Sequence, residues 1–200
     1  MAKVLNKQII RFDGRDTFFE VMANAFGIDK VQINFRKYDV TKTKGNKFTQ
    51  QVDCYVNVEE ALVLAQDILS GKIHALAEAE KAKGAKYPAP VWQSMGGMSA
   101  EKAKEKGLRN DGMALSRVIK LAPGNAKPFV LTAESGKGEQ NAQGLIVPRY
   151  GTSPENRIMV ALTGDQLKQL ALMINIHLSA YYSAQYTTGK YEVEYTPSTK

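Results

Sequence analysis

The sequence predicts an α+β protein made of two units, each a set of strands followed by one long helix, with the two units in a pseudo-twofold arrangement. At two places a short apolar strand runs without a loop into a helix, and the residues at both junctions fit a capping box. The segments before each junction alternate between apolar and polar residues, as strands do. The segments after each junction repeat apolar residues at helical spacing, which predicts amphipathic helices.

The first junction joins a strand over residues 52–56 to a helix over residues 61–76. Asn57 stands at the cap position, where its side chain can accept a hydrogen bond from a free amide of the first helical turn. Glu60, three residues later, can reach back to the amide of Asn57. The spacing therefore predicts a complete capping box and one long helix.

The second junction has the same form. A strand over residues 158–162 leads to Thr163 and Gln166, and an apolar-periodic run follows over residues 167–182. The recurrence of strand, cap and helix is the main reason to expect two related units.

Two elements are predicted at the start of the first unit. Residues 7–12 fit a short strand that ends at a turn signal. A short helix is then expected over residues 17–25, with Asp16 as its cap and Gly27 as its stop.

A hairpin is predicted next, from the strict period-two alternation of residues 30–38 and the strand over residues 48–56. The loop between them is basic and contains Lys42, Lys44 and Lys47. On the second strand, Phe48 is expected to point inward together with Val52.

The second unit is expected to begin after a linker that is rich in glycine and proline. The predicted division is residues 1–83 for the first unit, 84–112 for the linker, 113–188 for the second unit and 189–200 for a tail. Four strand candidates precede the second helix, over residues 115–121, 129–134, 144–150 and 157–162.

Composition narrows the classes of function. The net charge is +7 and the sequence pI is about 9.3, and most of the positive excess lies in residues 1–110. This balance permits a polyanionic partner such as nucleic acid. No segment is apolar and long enough for a signal peptide or a membrane span, and Cys54 is the only cysteine. We therefore expect a protein of the cytoplasm or nucleoid, without membrane partners, in which Cys54 is a buried structural thiol.

The predicted hairpin of the first unit offers the best candidate surface. Its outward residues are expected to be polar and aromatic: Gln32, Asn34, Arg36, Tyr38, Thr49, Gln51, Asp53 and Tyr55. Aromatic rings can stack on unpaired bases while cations contact the phosphates. The alternative is an ordinary solvated sheet face, and Asp53 in its centre would repel phosphate.

The second unit carries fewer such residues. Five of them could contact a ligand: Lys120, Lys127, Arg149, Tyr150 and Arg157. A second unit that mainly completes the fold is equally consistent with the sequence.

Catalytic and metal-binding patterns are absent from the sequence. His74 and His177 lie alone on the predicted long helices, without a second ligand one turn away. Residues 135–138 fit a hairpin turn better than a phosphate-binding loop. We therefore predict no cofactor, no metal site and no enzymatic activity.

The order of elements, several strands and then one long helix, repeated, resembles the Whirly, purine-rich-element-binding and positive-cofactor-four-type single-stranded DNA-binding proteins. The residues that carry the resemblance are the junctions 52–60 and 158–166 with their helices, and it covers about residues 7–83 and 113–186. The predicted helix over residues 17–25 departs from this pattern, because a strand would be expected there. The resemblance implies two packed sheet-and-helix units and a basic, aromatic surface for unpaired strands.

The sequence thus predicts non-catalytic binding of single-stranded DNA or RNA, largely independent of sequence, by a protein that can form a homo-oligomer. The expected contacts in the first unit are Arg36, Lys37, Tyr38, Lys42, Lys44, Lys47 and Tyr55. In the alternation of its strand, Lys37 is one of the residues expected to point inward. It must therefore lie at the strand's end if it is to contact phosphate. The alternative is a structural or scaffolding protein that binds other proteins through the same sheets and the tyrosines of its C-terminal region.

Overall fold

Two antiparallel sheets and four α-helices make up the structure, a computed structural model that describes residues 7–43 and 46–189. The elements of the first half are β1 (Gln8–Asp13), β2 (Thr17–Met22), a 3-10 helix (Ala23–Ile28), β3 (Lys30–Tyr38), β4 (Phe48–Asn57), α1 (Val58–Leu69) and α2 (Lys72–Ala82). Those of the second half are β5 (Trp92–Met98), α3 (Ala100–Glu105), β6 (Ala114–Pro123), β7 (Phe129–Gln140), β8 (Ile146–Pro148), β9 (Asn156–Leu162) and α4 (Gly164–Thr187). The predicted α+β class with two sheet-and-helix units is confirmed.

The first sheet has the strand order β1-β2-β3-β4. The helix predicted over residues 17–25 is wrong, because this segment forms β2 and the start of the 3-10 helix. Phe18 and Phe19 are both buried although they point to opposite faces of the strand, which hides the period-two signal. The helical segment ends after Ile28 rather than at Gly27, and Asp29 there has a left-handed backbone with φ 53°. A helix over residues 17–25 would have been a departure from the order of elements in the resembled proteins. Since β2 is a strand, the first unit does not depart from that order here.

The predicted hairpin is formed by β3 and β4, with one difference in register. A bulge at Lys37 and Tyr38 places Phe48 opposite Tyr38 rather than on the inner face. Phe48 is therefore half exposed on the outer face, and its predicted inward orientation is wrong.

The long helix predicted after the first junction is two helices. It breaks at Ser70 and Gly71, where Gly71 has a φ of 84° that favours glycine. The capping box predicted at Asn57 does not form. Glu60 accepts a hydrogen bond from the hydroxyl of Ser94 at 2.9 Å instead, and the side chain of Asn57 accepts one from Lys30.

The segment predicted as a linker, residues 84–112, contains part of the second sheet. Its β5 pairs with β6 over the whole length of β5, and α3 follows. Trp92 begins β5 and packs against the core, as an anchor for this segment would. The second sheet has the order β5-β6-β7-β8, with β9 also paired to β7.

The second junction forms as predicted. The side chain of Thr163 accepts a hydrogen bond from the amide of Gln166 at 3.1 Å, and Gln166 accepts one from the amide of Thr163 at 2.9 Å. This capping box begins α4, which runs unbroken to Thr187.

One hydrophobic core joins the inner faces of both sheets to the buried sides of the helices, with α1 packed against α4. Its fully buried side chains include Phe19, Phe35, Leu121 and Leu162. Cys54 is buried in this core as predicted, and burial raises the pKa of its thiol to about 12. Because the inner faces are buried in the core, only the outer faces of the two sheets can present their side chains to a large ligand.

Candidate nucleic-acid interface

Three aromatic rings gather at one end of the outer face of the first sheet. The Phe18 ring centroid lies 6.1 Å from that of Tyr38 and 6.0 Å from that of Phe48, and we call these three residues the aromatic cluster. Strand pairing places Tyr38 on β3 directly opposite Phe48 on β4, and Phe18 on β2 opposite Arg36, two residues before Tyr38. Phe18 is buried beneath its neighbours, whereas Phe48 is 48% exposed.

Arg11 covers the cluster from β1. Its guanidinium carbon lies 3.6 Å from the centroid of the Phe18 ring, which is a cation–π contact. The same guanidinium donates a bifurcated hydrogen bond from Nε to both carboxylate oxygens of Asp13 and another from Nη2, and this bonding raises the pKa of Arg11. Arg11 therefore carries its positive charge directly beside the rings.

The centre of the outer face holds a cross-strand ion pair. Arg36 on β3 donates from Nη1 to Oδ1 of Asp53 on β4 at 2.5 Å. The Arg36 side chain is only 14% exposed and also donates to the carbonyl of Phe35. The positive charge of Arg36 thus compensates the negative charge of Asp53 in the middle of the face. At the same time the ion pair engages Arg36, which the sequence predicts to contact phosphate.

The predicted lysines of the first unit that are among the described residues lie near the end of β3 and in the loop that leads to β4. Lys37 stands next to the last residue of β3, on the face opposite to Arg36, and its Nζ lies 3.5 Å from a carboxylate oxygen of Asp16. Lys42 and Lys47 are exposed in the loop between β3 and β4. Lys44 falls outside the described residues.

Tyr55 occupies the far end of the same face. It pairs with Gln32 on β3 and is 42% exposed. The outer face of the first sheet thus has exposed rings at both ends and a paired arginine between them.

A groove of about 660 Å³ crosses the outer face of the second sheet. Its floor comes from alternate residues of β6, β7 and β9, and its walls are residues 86–90 and the turn 123–127; we call this space the groove. It brings together three of the predicted contacts, Lys120, Lys127 and Arg157, and adds Lys86 and Tyr87.

A buried carboxylate orders the cations at one end of the groove. Glu134 is 4% exposed and accepts hydrogen bonds from Nζ of Lys120 at 2.7 Å and from Nε of Arg157 at 2.9 Å. At the other end, Lys127 donates to the side chain of Gln166 at 3.3 Å.

The remaining two predicted contacts of the second unit are not among the residues that line the groove. Arg149 pairs with Glu139 at 2.6 Å on the surface. Tyr150 packs its ring against Gly136, and burial raises the pKa of its hydroxyl.

Sequence reasoning missed five residues of these surfaces for two reasons. Arg11, Phe18 and Phe48 were missed because the alternation of β2 is masked and the bulge changes the register of β4. Lys86 and Tyr87 were assigned to a linker. The order lysine, tyrosine, proline was a signal in the sequence that could have indicated a ring and a cation on the surface.

Other kinds of site find little support in the described part of the chain. None of its helices is long and apolar enough to cross a membrane. Among the described residues, 7–43 and 46–189, no group of three His, Cys, Asp or Glu side chains is placed to hold a metal ion. His74 packs its ring edge against Phe129, with centroids 6.1 Å apart.

Comparison with known proteins identifies similar folds only among solved structures. No protein-family model and no curated protein matches the chain. The chain is similar to WHY1 from Arabidopsis thaliana, with a TM-score of 0.48 and 10% identity over 98% of this chain and 100% of that one. It is also similar to the plant transcriptional regulator PBF-2, with a TM-score of 0.47 and 10% identity over 94% of this chain and 98% of that one. For MRP1/MRP2 of Trypanosoma brucei the TM-score is 0.36 and the identity 12%, over 89% and 79% of the two chains. A Whirly protein is thus among the structures that this chain resembles, as the order of its elements predicted.

Proposed function

We propose that this protein binds single-stranded nucleic acid through the outer face of its first sheet, without catalysis and largely independently of sequence. The observation that carries the proposal is the aromatic cluster of Phe18, Tyr38 and Phe48 with cations around it. Each base that stacks on an aromatic ring gains about 1–3 kcal/mol, and the gain tolerates any base because all bases have a flat apolar face.

The distribution of charge supports the same function. Lys42 and Lys47 are exposed beside the cluster and can follow the phosphates of a strand. Three acidic side chains of this face are held in ion pairs, Asp13 with Arg11, Asp16 with Lys37 and Asp53 with Arg36. A fourth, Glu20, accepts a hydrogen bond from the side chain of Asn34. Their repulsion of phosphate is therefore reduced.

Exposed apolar side chains on α4 support the predicted homo-oligomer. Leu172 is 47% exposed and Ile176 is 59% exposed, one helical turn apart on the side away from the core. A location in the cytoplasm or nucleoid is consistent with this function and stays a prediction.

Fluorescence anisotropy with a labelled single-stranded oligonucleotide, as DNA and as RNA, tests the proposal. We expect binding that weakens with salt, and a loss of affinity of about fivefold or more in the double variant Tyr38→Ala, Phe48→Ala, because stacking of at least one base is lost. Tyr186→Ala, which removes an exposed ring on α4, is the matched control and should bind as the wild type does.

An absence of binding at low salt would overturn the proposal. A stable assembly with a protein partner that survives nuclease treatment, together with no affinity for oligonucleotides, would instead favour the scaffolding alternative. Light scattering of the purified protein measures the oligomeric state in the same samples.

A further inference from the structure

We propose that the groove on the second sheet is a second site for single-stranded nucleic acid, with Glu134 as the residue that positions its phosphate-binding cations. This inference rests on the proposed function and extends it to the second unit, for which the sequence left ligand binding open.

The floor of the groove changes from apolar to charged along the strands. Ala122, Val130 and Ala161 are direct neighbours across β6, β7 and β9, and they form an apolar row of small side chains. Such a row leaves room for a flat ring to lie on the sheet. The next row along the strands contains Lys120, Thr132 and Met159.

Tyr87 stands at the wall of the groove with 82% of its surface exposed. An aromatic side chain this exposed gains little from the core, but it can stack on an unpaired base that rests on the apolar row. The Nζ of Lys86 lies 5.5 Å from the centroid of the Tyr87 ring, so a cation stands beside this stacking position.

The positive charge of the groove favours a polyanionic ligand. The residues that line the groove include four cations, Lys86, Lys120, Lys127 and Arg157, against the single carboxylate of Glu134. A nucleic-acid strand offers both the flat apolar base and the repeated negative charge that these features fit.

Glu134 holds two of the cations in fixed positions. It accepts hydrogen bonds from Lys120 and Arg157, and it is nearly fully buried between them. Arg157 uses Nε in this pair, so its Nη1 and Nη2 are left to contact a phosphate. Arg157 is 53% exposed in its side chain, and a phosphate can reach these nitrogens from solvent.

The first test removes three of the four groove cations and leaves Lys120 as a partner of the buried Glu134. We expect the triple variant Lys86→Gln, Lys127→Gln, Arg157→Gln to bind an oligonucleotide at least about tenfold more weakly and with a salt slope smaller by about 2, since each lost phosphate contact on a single strand contributes about 0.7. The matched control removes the same charge on and beside α3, with Lys102→Gln, Lys104→Gln and Lys106→Gln. Equal affinity and slope in the triple variant and the wild type would overturn the second site.

The second test addresses Glu134. Glu134→Gln adds one positive charge to the protein, so attraction by net charge alone would tighten binding. The positioning role requires weaker binding, because a neutral amide no longer holds the ammonium and the guanidinium in place. Thermal melting of the variant confirms that it is folded, and tighter binding would overturn the role of Glu134.

A third measurement locates the strand directly. An oligonucleotide that carries photoreactive iodouracil should cross-link to the peptide that contains Tyr87 or Met159, and Tyr87→Ala should reduce the yield. Cross-links confined to peptides of the first sheet would overturn the second site.

These results separate the two proposals. If the groove variants bind normally while the Tyr38 and Phe48 variant does not, the second site is wrong and the proposed function stands. If the reverse holds, the groove is the binding site and the role of the first sheet is wrong. A wild-type protein that binds no oligonucleotide overturns both.

Discussion

Arg36 and Asp53 face each other across β3 and β4, with Nη1 2.5 Å from Oδ1, in the centre of the outer face of the first sheet. The pair decides how each residue acts toward a polyanion. Asp53 presents less negative charge than an isolated carboxylate, and Arg36 has part of its binding capacity already engaged. The cations of this face therefore differ in how readily they can contact a phosphate.

Replacing Asp53 with asparagine should strengthen nucleic-acid binding. The variant removes a negative charge from the face and releases Arg36 to contact phosphate, so the slope of log affinity against log salt should grow by about 0.7. Anisotropy titrations at several salt concentrations measure both quantities. Asp67→Asn, which breaks the ion pair with Lys72 at the end of α1, is the control and should leave the slope unchanged. Weaker binding by Asp53→Asn would contradict the proposed role of this face.

The two strand-to-helix junctions should respond differently to the loss of their caps. Thr163→Ala removes a formed capping box and should lower the free energy of unfolding by about 1 kcal/mol. Asn57→Ala removes a side chain that makes no capping bond, so its effect should be smaller. Urea denaturation of both variants gives the comparison, and equal losses would contradict the difference between the junctions.

Glu60 should make stability depend on pH. Burial raises the pKa of its carboxyl, although the hydrogen bond from Ser94 and the charge of Lys30 oppose the shift. The folded state therefore holds the Glu60 proton to higher pH than the unfolded state does, and this residue's contribution to stability falls as the pH rises from the unfolded to the folded pKa.

We expect Glu60→Gln to raise the thermal midpoint at pH 7 and to lose this advantage at about pH 3, where the wild-type carboxyl is protonated in both the folded and the unfolded state. Glu59→Gln, at the exposed neighbouring position, serves as the control. A variant that is less stable than the wild type at pH 7 would show that the charged form of Glu60 is favoured by its surroundings.

Cys54 should be inert in the folded protein. Burial raises the pKa of its thiol to about 12, so almost no thiolate exists at pH 8, and the side chain is 3% exposed. Ellman's reagent should react with the protein only after denaturation. A fast reaction in native buffer would mean that the strand β4 opens readily.

The sequence predicted those elements whose signal is local. The hairpin of β3 and β4 was found because apolar residues alternate over residues 31–35 and 52–56. The helix α4 was found because Thr163 and Gln166 have the spacing of a capping box. The element β2 was missed because Phe18 is buried under Arg11 on the outer face while Phe19 is buried in the core, and no local pattern reveals the cover over Phe18. The strand β5 was missed because its composition, with two glycines in WQSMGGM, is typical of a loop.

The residues of the candidate surfaces also divide into those that the sequence predicted and those that only strand pairing revealed. Tyr38, Lys42, Lys47 and Tyr55 were predicted from alternation and loop composition alone. Phe48 joined them only through the bulge at Lys37 and Tyr38, which is a property of strand pairing.

The sequence alone determined the α+β class, the order of the two sheet-and-helix units and the orientation of most of the outward residues of β3, because each of these follows from periodicity and capping within a few residues. Only the tertiary structure decided which charges neutralise one another and which cations share a surface. Lys120, Glu134 and Arg157 lie on three different strands, and nothing in their spacing shows that one buried carboxylate holds both cations. Such a set depends on the register between strands, which is fixed by the packing of the whole sheet.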